Sequence, residues 1–82
     1  MTALYRESIK TLIRPRSNGS GPAYNLLCKL SYLQNSPYNM DVCLIGLPDY
    51  PTIQIEHNTG DMNDVLKAIK DHKGRIGGYV HI

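Results

Sequence analysis

The stretch from Met40 to Ile55 restricts this 82-residue chain more than any other part of it. Met40, Val42 and Leu44 alternate with Asp41 and Cys43, and Ile53 and Ile55 alternate with Gln54 and Glu56. A period of two places successive side chains on opposite faces, the pattern of a half-buried strand. Between the two runs stands Pro48-Asp49-Tyr50-Pro51, whose prolines and aspartate suit a turn. Setting Leu47 opposite Thr52 places Leu44 against Ile55 and Gly46 against Ile53, so one face of the pair is apolar.

The preceding segment, residues 23–34, reads two ways. Leu26, Leu27, Leu30 and Leu33 suit a helix that starts at Pro22. Pairing favours a strand instead: with Tyr32 opposite Tyr38, Leu30 meets Met40, Cys28 meets Val42 and Leu26 meets Leu44. The other face then sets Lys29 against Asp41 and Leu27 against Cys43, and a one-residue slip loses both matches.

Ahead of these, Leu4, Tyr5, Ile9, Leu12 and Ile13 share one side of a helix with Thr2 as N-cap. The alternation Ile9, Thr11, Ile13 keeps a strand as the competitor. Asp61 opens a second helix through Met62, Val65, Leu66 and Ile69, which Gly74 stops. Ile76, Val80 and Ile82 then mark a last strand, parallel to Thr52–His57 by the right-handed crossover rule if the two are neighbours.

The expected fold is α+β: a small, mostly antiparallel sheet, made of a three-stranded meander and a C-terminal strand, packed with two helices in the order α-β-β-β-α-β. Its expected core is Leu26, Cys28, Leu30, Met40, Val42, Leu44, Ile53, Ile55, Met62, Val65, Leu66, Ile69, Val80 and Ile82. Residues 1–82 make one domain, with a flexible Gly/Ser/Pro-rich internal loop at 15–22.

Several classes of function are excluded by what the chain lacks. No stretch approaches the roughly eighteen apolar residues of a membrane span, and MTALYRESIK carries charge where a signal peptide needs an apolar run. Two cysteines, Cys28 and Cys43, point to a reducing compartment, so the expected location is cytoplasmic. They fall in apolar surroundings and on opposite faces of the expected sheet, which argues against both a reactive thiol and a disulfide. His57, His72 and His81 lie on three different elements with no metal-ligand spacing, so no metal is expected. The loop SNGSGP, read as following a helix, lacks the strand before it and the Lys-Ser or Lys-Thr after it that a phosphate-binding loop needs. No acid, base and nucleophile assemble, so the reading is not an enzyme, and no cofactor is expected.

What remains is binding. The outer face of the expected sheet shows Leu27, Leu33, Cys43, Ile45 and Leu47, more apolar surface than a solvated face displays, and so the candidate protein interface. A domain this small gains from shared burial, and six tyrosines suit an interface, so the expected function is protein binding with a homodimer as the simplest assembly. The alternative partner is nucleic acid. The first forty residues set Arg6, Lys10, Arg14, Arg16 and Lys29 against Glu7 alone, and Arg6, Lys10, Arg14, Arg16 and Tyr24 form a candidate edge for weak, sequence-independent phosphate contact.

Overall fold

Ile9, Thr11 and Ile13 turn toward one side and Lys10, Leu12 and Arg14 toward the other along β1, Ser8–Pro15, the first element of a computed structural model that describes residues 8–82. The strand reading prevails over the helical one here. Thr11 and Ile13 are fully buried, while Leu12, which the alternation points away from them, is only half-buried. Thr2, Leu4, Tyr5 and Arg6 lie outside the described residues.

The next segment reverses the other ambiguous reading. Ser20–Leu30 is a helix, α1, continued by a 3-10 turn over Ser31–Gln34. Ala23, Leu26 and Leu30 recur at i, i+3 and i+7 and are fully buried, as is Leu33 in the turn. The expected hairpin with Tyr38–Leu47 is therefore absent: Lys29 is helical and does not pair with Asp41, and Cys28 is exposed on α1 rather than in the core. Of the expected loop at 15–22, Pro15 ends β1 and Ser20, Gly21 and Pro22 open α1, where a proline costs no hydrogen bond. SNGSGP thus runs from a strand into a helix, not from a helix.

The alternating runs do form strands: β2, Asp41–Ile45, and β3, Thr52–Asn58, are antiparallel neighbours. Val42 lies opposite Ile55 and Leu44 opposite Ile53, two residues away from the expected register. A slip of two keeps each side chain on its face, so the apolar face is as expected although the partners differ. The turn fixes this register. Gly46 has φ +77°, the Tyr50 amide donates to the Gly46 carbonyl at 2.8 Å, and a Cβ on Gly46 would collide with the Tyr50 carbonyl.

Helix α2, Met62–Asp71, buries Val65, Ala68 and Ile69. Leu66 and Met62, expected in the core, are exposed and half-buried, because the buried stripe turns toward Ala68 instead. Asp61 occupies the N-cap position without a side-chain capping bond. The last strand, β4, Ile76–His81, pairs antiparallel with β1.

The sheet order is β2-β3-β1-β4, with every neighbouring pair antiparallel. The fold is α+β as expected, with the chain order β-α-β-β-α-β. β4 does run parallel to β3, but β1 lies between them. The chain is thus two interleaved, split β-α-β units, a connectivity shared by ferredoxin-like folds. Two right-handed crossovers that start on antiparallel strands and run in opposite directions along a sheet lie on one face of it. Accordingly Leu26 and Leu30 of α1, Val65 and Ile69 of α2, and Ile13, Val42, Ile53 and Ile55 of the sheet form one core cluster. Val80 and Ile82, expected in the core, point from the opposite face and are exposed, and Leu44 is only partly buried at its edge.

A polar group is built into the inner face beside this core. The Thr11 hydroxyl lies 2.7 Å from Nε2 of His57 and 2.8 Å from Nδ1 of His81, and Nδ1 of His57 lies 2.8 Å from the Asn58 carbonyl. A carbonyl only accepts, so Nδ1 of His57 carries hydrogen. In the neutral ring Nε2 then accepts from Thr11, whose oxygen accepts from Nδ1–H of His81. The chain of bonds joins β3, β1 and β4 and leaves no buried side-chain polar atom unpaired among the described residues. Thr11→Val keeps the shape of the side chain and removes both bonds. It should lower the unfolding free energy by about 1–3 kcal/mol in urea titrations, and Thr11→Ser should recover part of the loss; a valine variant as stable as wild type would show that the bonds contribute nothing.

Candidate binding surface

With both helices on one side, the other face of the sheet is uncovered by any described residue, and its composition follows from the register. Reading across β2, β3, β1 and β4, Asp41, Glu56, Lys10 and Ile82 form one row and Cys43, Gln54, Leu12 and Val80 the next, and the pairs Ile45–Thr52 and Arg14–Gly78 follow as the third. Charge is therefore unevenly distributed. Lys10 lies opposite Glu56, with Asp41 beyond it, whereas Arg14 shares its row with no acid.

The five residues expected to form a protein interface do not make one patch. Cys43 and Ile45 are on the open face of β2, which is an edge strand and not the centre of the sheet. Leu47 is exposed in the turn that follows. Leu27 packs from α1 against the core, and Leu33 is fully buried in it, so both belong to the opposite side of the sheet.

The candidate nucleic-acid residues divide as well. Arg6 lies outside the described residues. Lys10 and Arg14 share the open face of β1, and Arg16 follows its end. Tyr24 is exposed on α1 and lines none of the clefts that the arginines line. Those clefts cluster at one end of the sheet. One of about 450 Å³ lies among Leu12, Arg14, Arg16, Gly77, Gly78 and Val80. A second of about 280 Å³ joins Arg16 to Arg75 beside Gly21 and Asn25, and the Arg16 amide donates to the Arg75 carbonyl at 2.8 Å.

At the far end of the sheet a polar cleft of about 460 Å³ gathers Ser8, Tyr38, Asp41, Glu56, His57 and Asp61. Its histidine is engaged through both ring nitrogens, and the Ser8 hydroxyl donates to a Glu56 oxygen at 3.1 Å. No three of the described His, Cys, Asp and Glu side chains are placed to share a metal ion. Nearby on the helical side, the Tyr32 and Tyr38 rings meet edge to face at 5.6 Å. Burial first, then Tyr38, Asp71 and Asp64, raise the Tyr32 hydroxyl above its ordinary value.

The most distinctive surface, the outer edge of β4, is not among the residues expected from the sequence to bind. Lys10 and Ile82 exchange both backbone bonds, at 2.9 and 2.7 Å. Antiparallel ladders alternate, so Gly78, Val80 and Ile82 direct their amides and carbonyls at β1, and Tyr79 and His81 direct theirs away from the sheet. Tyr79, Val80 and Ile82 are all exposed, and the Tyr79 and His81 rings meet at 5.4 Å. Exposed edges usually carry a charge, a proline or very short length as protection against pairing. The opposite edge, β2, is five residues long, begins with Asp41 and is followed by Gly46 and Pro48. From Ile76 to Ile82 there is no Asp, Glu, Lys, Arg or Pro.

Comparison with known families, curated proteins and solved structures finds no match to this chain. Connectivity is then its only link to other folds, and connectivity does not carry function. No described helix is long and apolar enough to cross a membrane.

Where the arginine cleft meets β4, the ladder shifts register between Arg14 and Pro15, leaving Gly77 as the extra residue of a bulge. A Cβ there would lie 3.3 Å from both the Arg16 Cα and the Pro15 carbonyl oxygen, whereas one on Gly78 meets nothing within 4 Å. Gly77→Ala should accordingly lower stability by about 1 kcal/mol or more, and Gly78→Ala should leave it within about 0.5 kcal/mol. Equal thermal melts for the two variants would contradict the close approach of β4 to the end of β1.

Proposed function

We propose that this protein is a non-enzymatic binding module that works as a homodimer joined through β4. The observation that carries the reading is the unprotected outer edge of that strand: two residues with outward backbone groups, apolar side chains on the same strand, and no charge or proline. An edge of this kind is complementary to an extended strand, and main-chain bonds supply the affinity when one is added. The chain itself carries such a strand, and a two-fold axis makes the contact isologous. With the axis at Tyr79, antiparallel pairing sets the two Tyr79 residues against each other, Gly77 against His81 and Gly78 against Val80, so His81 and Val80 each fall beside a glycine. The two sheets become one of eight strands.

Nucleic acid on the open face of the sheet is the weaker reading. Sequence-tolerant binding of single strands relies on aromatic rings across a sheet face. The three rows of the open face hold none.

Sedimentation of the wild type should show a concentration-dependent dimer, and Tyr79→Lys should sediment as a folded monomer. Amide exchange adds an independent reading, since the Tyr79 and His81 amides should gain protection as concentration rises while those of Val80 and Ile82 stay protected throughout. A wild type that remains monomeric at high micromolar concentration, or a dimer untouched by Tyr79→Lys, would overturn the proposal.

A further inference from the structure

The cleft at the bulged end of the β1–β4 pair has the makings of a ligand site distinct from the strand edge. Three features converge there. The first is space: Gly77 and Gly78 place bare backbone along one wall, and the resulting volume of about 450 Å³ falls in the range of roughly 300–1,000 Å³ found for small-molecule sites.

The second is charge. Arg14 and Arg16 line the cleft and no carboxylate does; Asp49 lines only the adjoining cleft that Arg14 shares with Tyr50. Arg14 pairs with Gly78 and shares the cleft with Thr52, so nothing beside it on the open face neutralises it as Glu56 does Lys10. Arg14 is the last open-face residue of β1 and Arg16 follows the end of the strand, and both line the one cleft. Two guanidiniums so placed approach a tetrahedral dianion from two sides, each with a fork of donors, whereas a single carboxylate engages one fork fully.

The third is an apolar floor. Leu12 and Val80 are opposite each other in the ladder, on the same face as Arg14, and both line the cleft. They offer contact to an apolar body attached to the anion.

We propose that this cleft binds a small organic phosphate monoester, with Arg14 and Arg16 on the phosphate and its flat apolar part against Leu12 and Val80. Tyr79, on the axis of the proposed dimer, also lines this cleft, but the phosphate contacts come from Arg14 and Arg16 of β1 and its end, so neither proposal requires the other.

The test is a titration of the full chain, followed through its amide resonances, with adenosine 5′-monophosphate, phenyl phosphate, adenosine and inorganic phosphate as probes. The two monoesters should shift the Arg14, Gly77 and Gly78 amides saturably. Adenosine and inorganic phosphate should bind roughly tenfold or more weakly, because each offers half of the contacts. Arg14→Ala and Arg16→Ala should each weaken monoester binding roughly tenfold, as expected for loss of a charge-assisted pair. Lys10→Ala serves as the control and should change nothing, and the dispersion of each variant's spectrum reports that it is folded. The proposal is overturned if neither monoester shifts Gly77 and Gly78, if inorganic phosphate binds as tightly as the esters, or if the folded arginine variants bind unchanged. Tighter saturation by an oligothymidylate than by the monoesters would overturn it in favour of an extended nucleic-acid strand.

Discussion

Strand β1 offers its backbone alternately to two neighbours. Lys10 bonds outward to Ile82 of β4, and by the alternation of an antiparallel ladder Ile9, Thr11 and Ile13 bond to His57, Ile55 and Ile53 of β3. The same strand carries the buried hydroxyl that links His57 to His81, and the fully buried Ile13 that meets the core. β3 and β4 touch each other only through it, so the second β-α-β unit closes only because β1 fills the gap between its two strands. The position of β1 also decides the surface: it makes β4 an edge, and it sets Arg14 and Lys10 on the open face in rows of different charge.

This dependence explains what could be read from the residues alone. The faces of β2 and β3 were legible because alternation over Met40–Ile55 is unambiguous, and even a wrong register, off by two, preserves them. The segment at 24–32 was not. Its leucines satisfy both periods, and the match of Lys29 with Asp41 and Leu27 with Cys43 in a notional hairpin was coincidence: two alternating segments align easily. The discriminating signal was present, since Ala23, Leu26, Leu30 and Leu33 keep helical spacing over three turns, longer than the hairpin needed. At the first element Leu12 argued for a helix, yet a central strand of an open-faced sheet tolerates a half-buried leucine on its second face.

The binding surface was less legible than the fold. Arg14 and Arg16 were identifiable as cations, but whether a cation is neutralised depends on the residue across the sheet. Glu56 opposite Lys10 and Gly78 opposite Arg14 follow only from strand order. Likewise Val80 and Ile82 fit a core only if the strand after the second helix lies against β3. With β1 interposed, they belong to the open face of an edge strand. The bulge at Gly77 has no sequence signature beyond the glycine pair, and it is what brings β4 close to the end of β1.

The central claim is that β1 is a strand paired on both sides. In antiparallel sheets the residues of non-hydrogen-bonded pairs approach most closely, about 4.5 Å between Cα atoms, so their α-protons give strong cross-strand nuclear Overhauser effects. The account predicts such contacts for Thr11 with His81 and Ile13 with Tyr79 on one side, and for Lys10 with Glu56 and Leu12 with Gln54 on the other. Sequential amide–amide contacts through Ile9–Ile13, or cross-strand contacts on one side only, would contradict it.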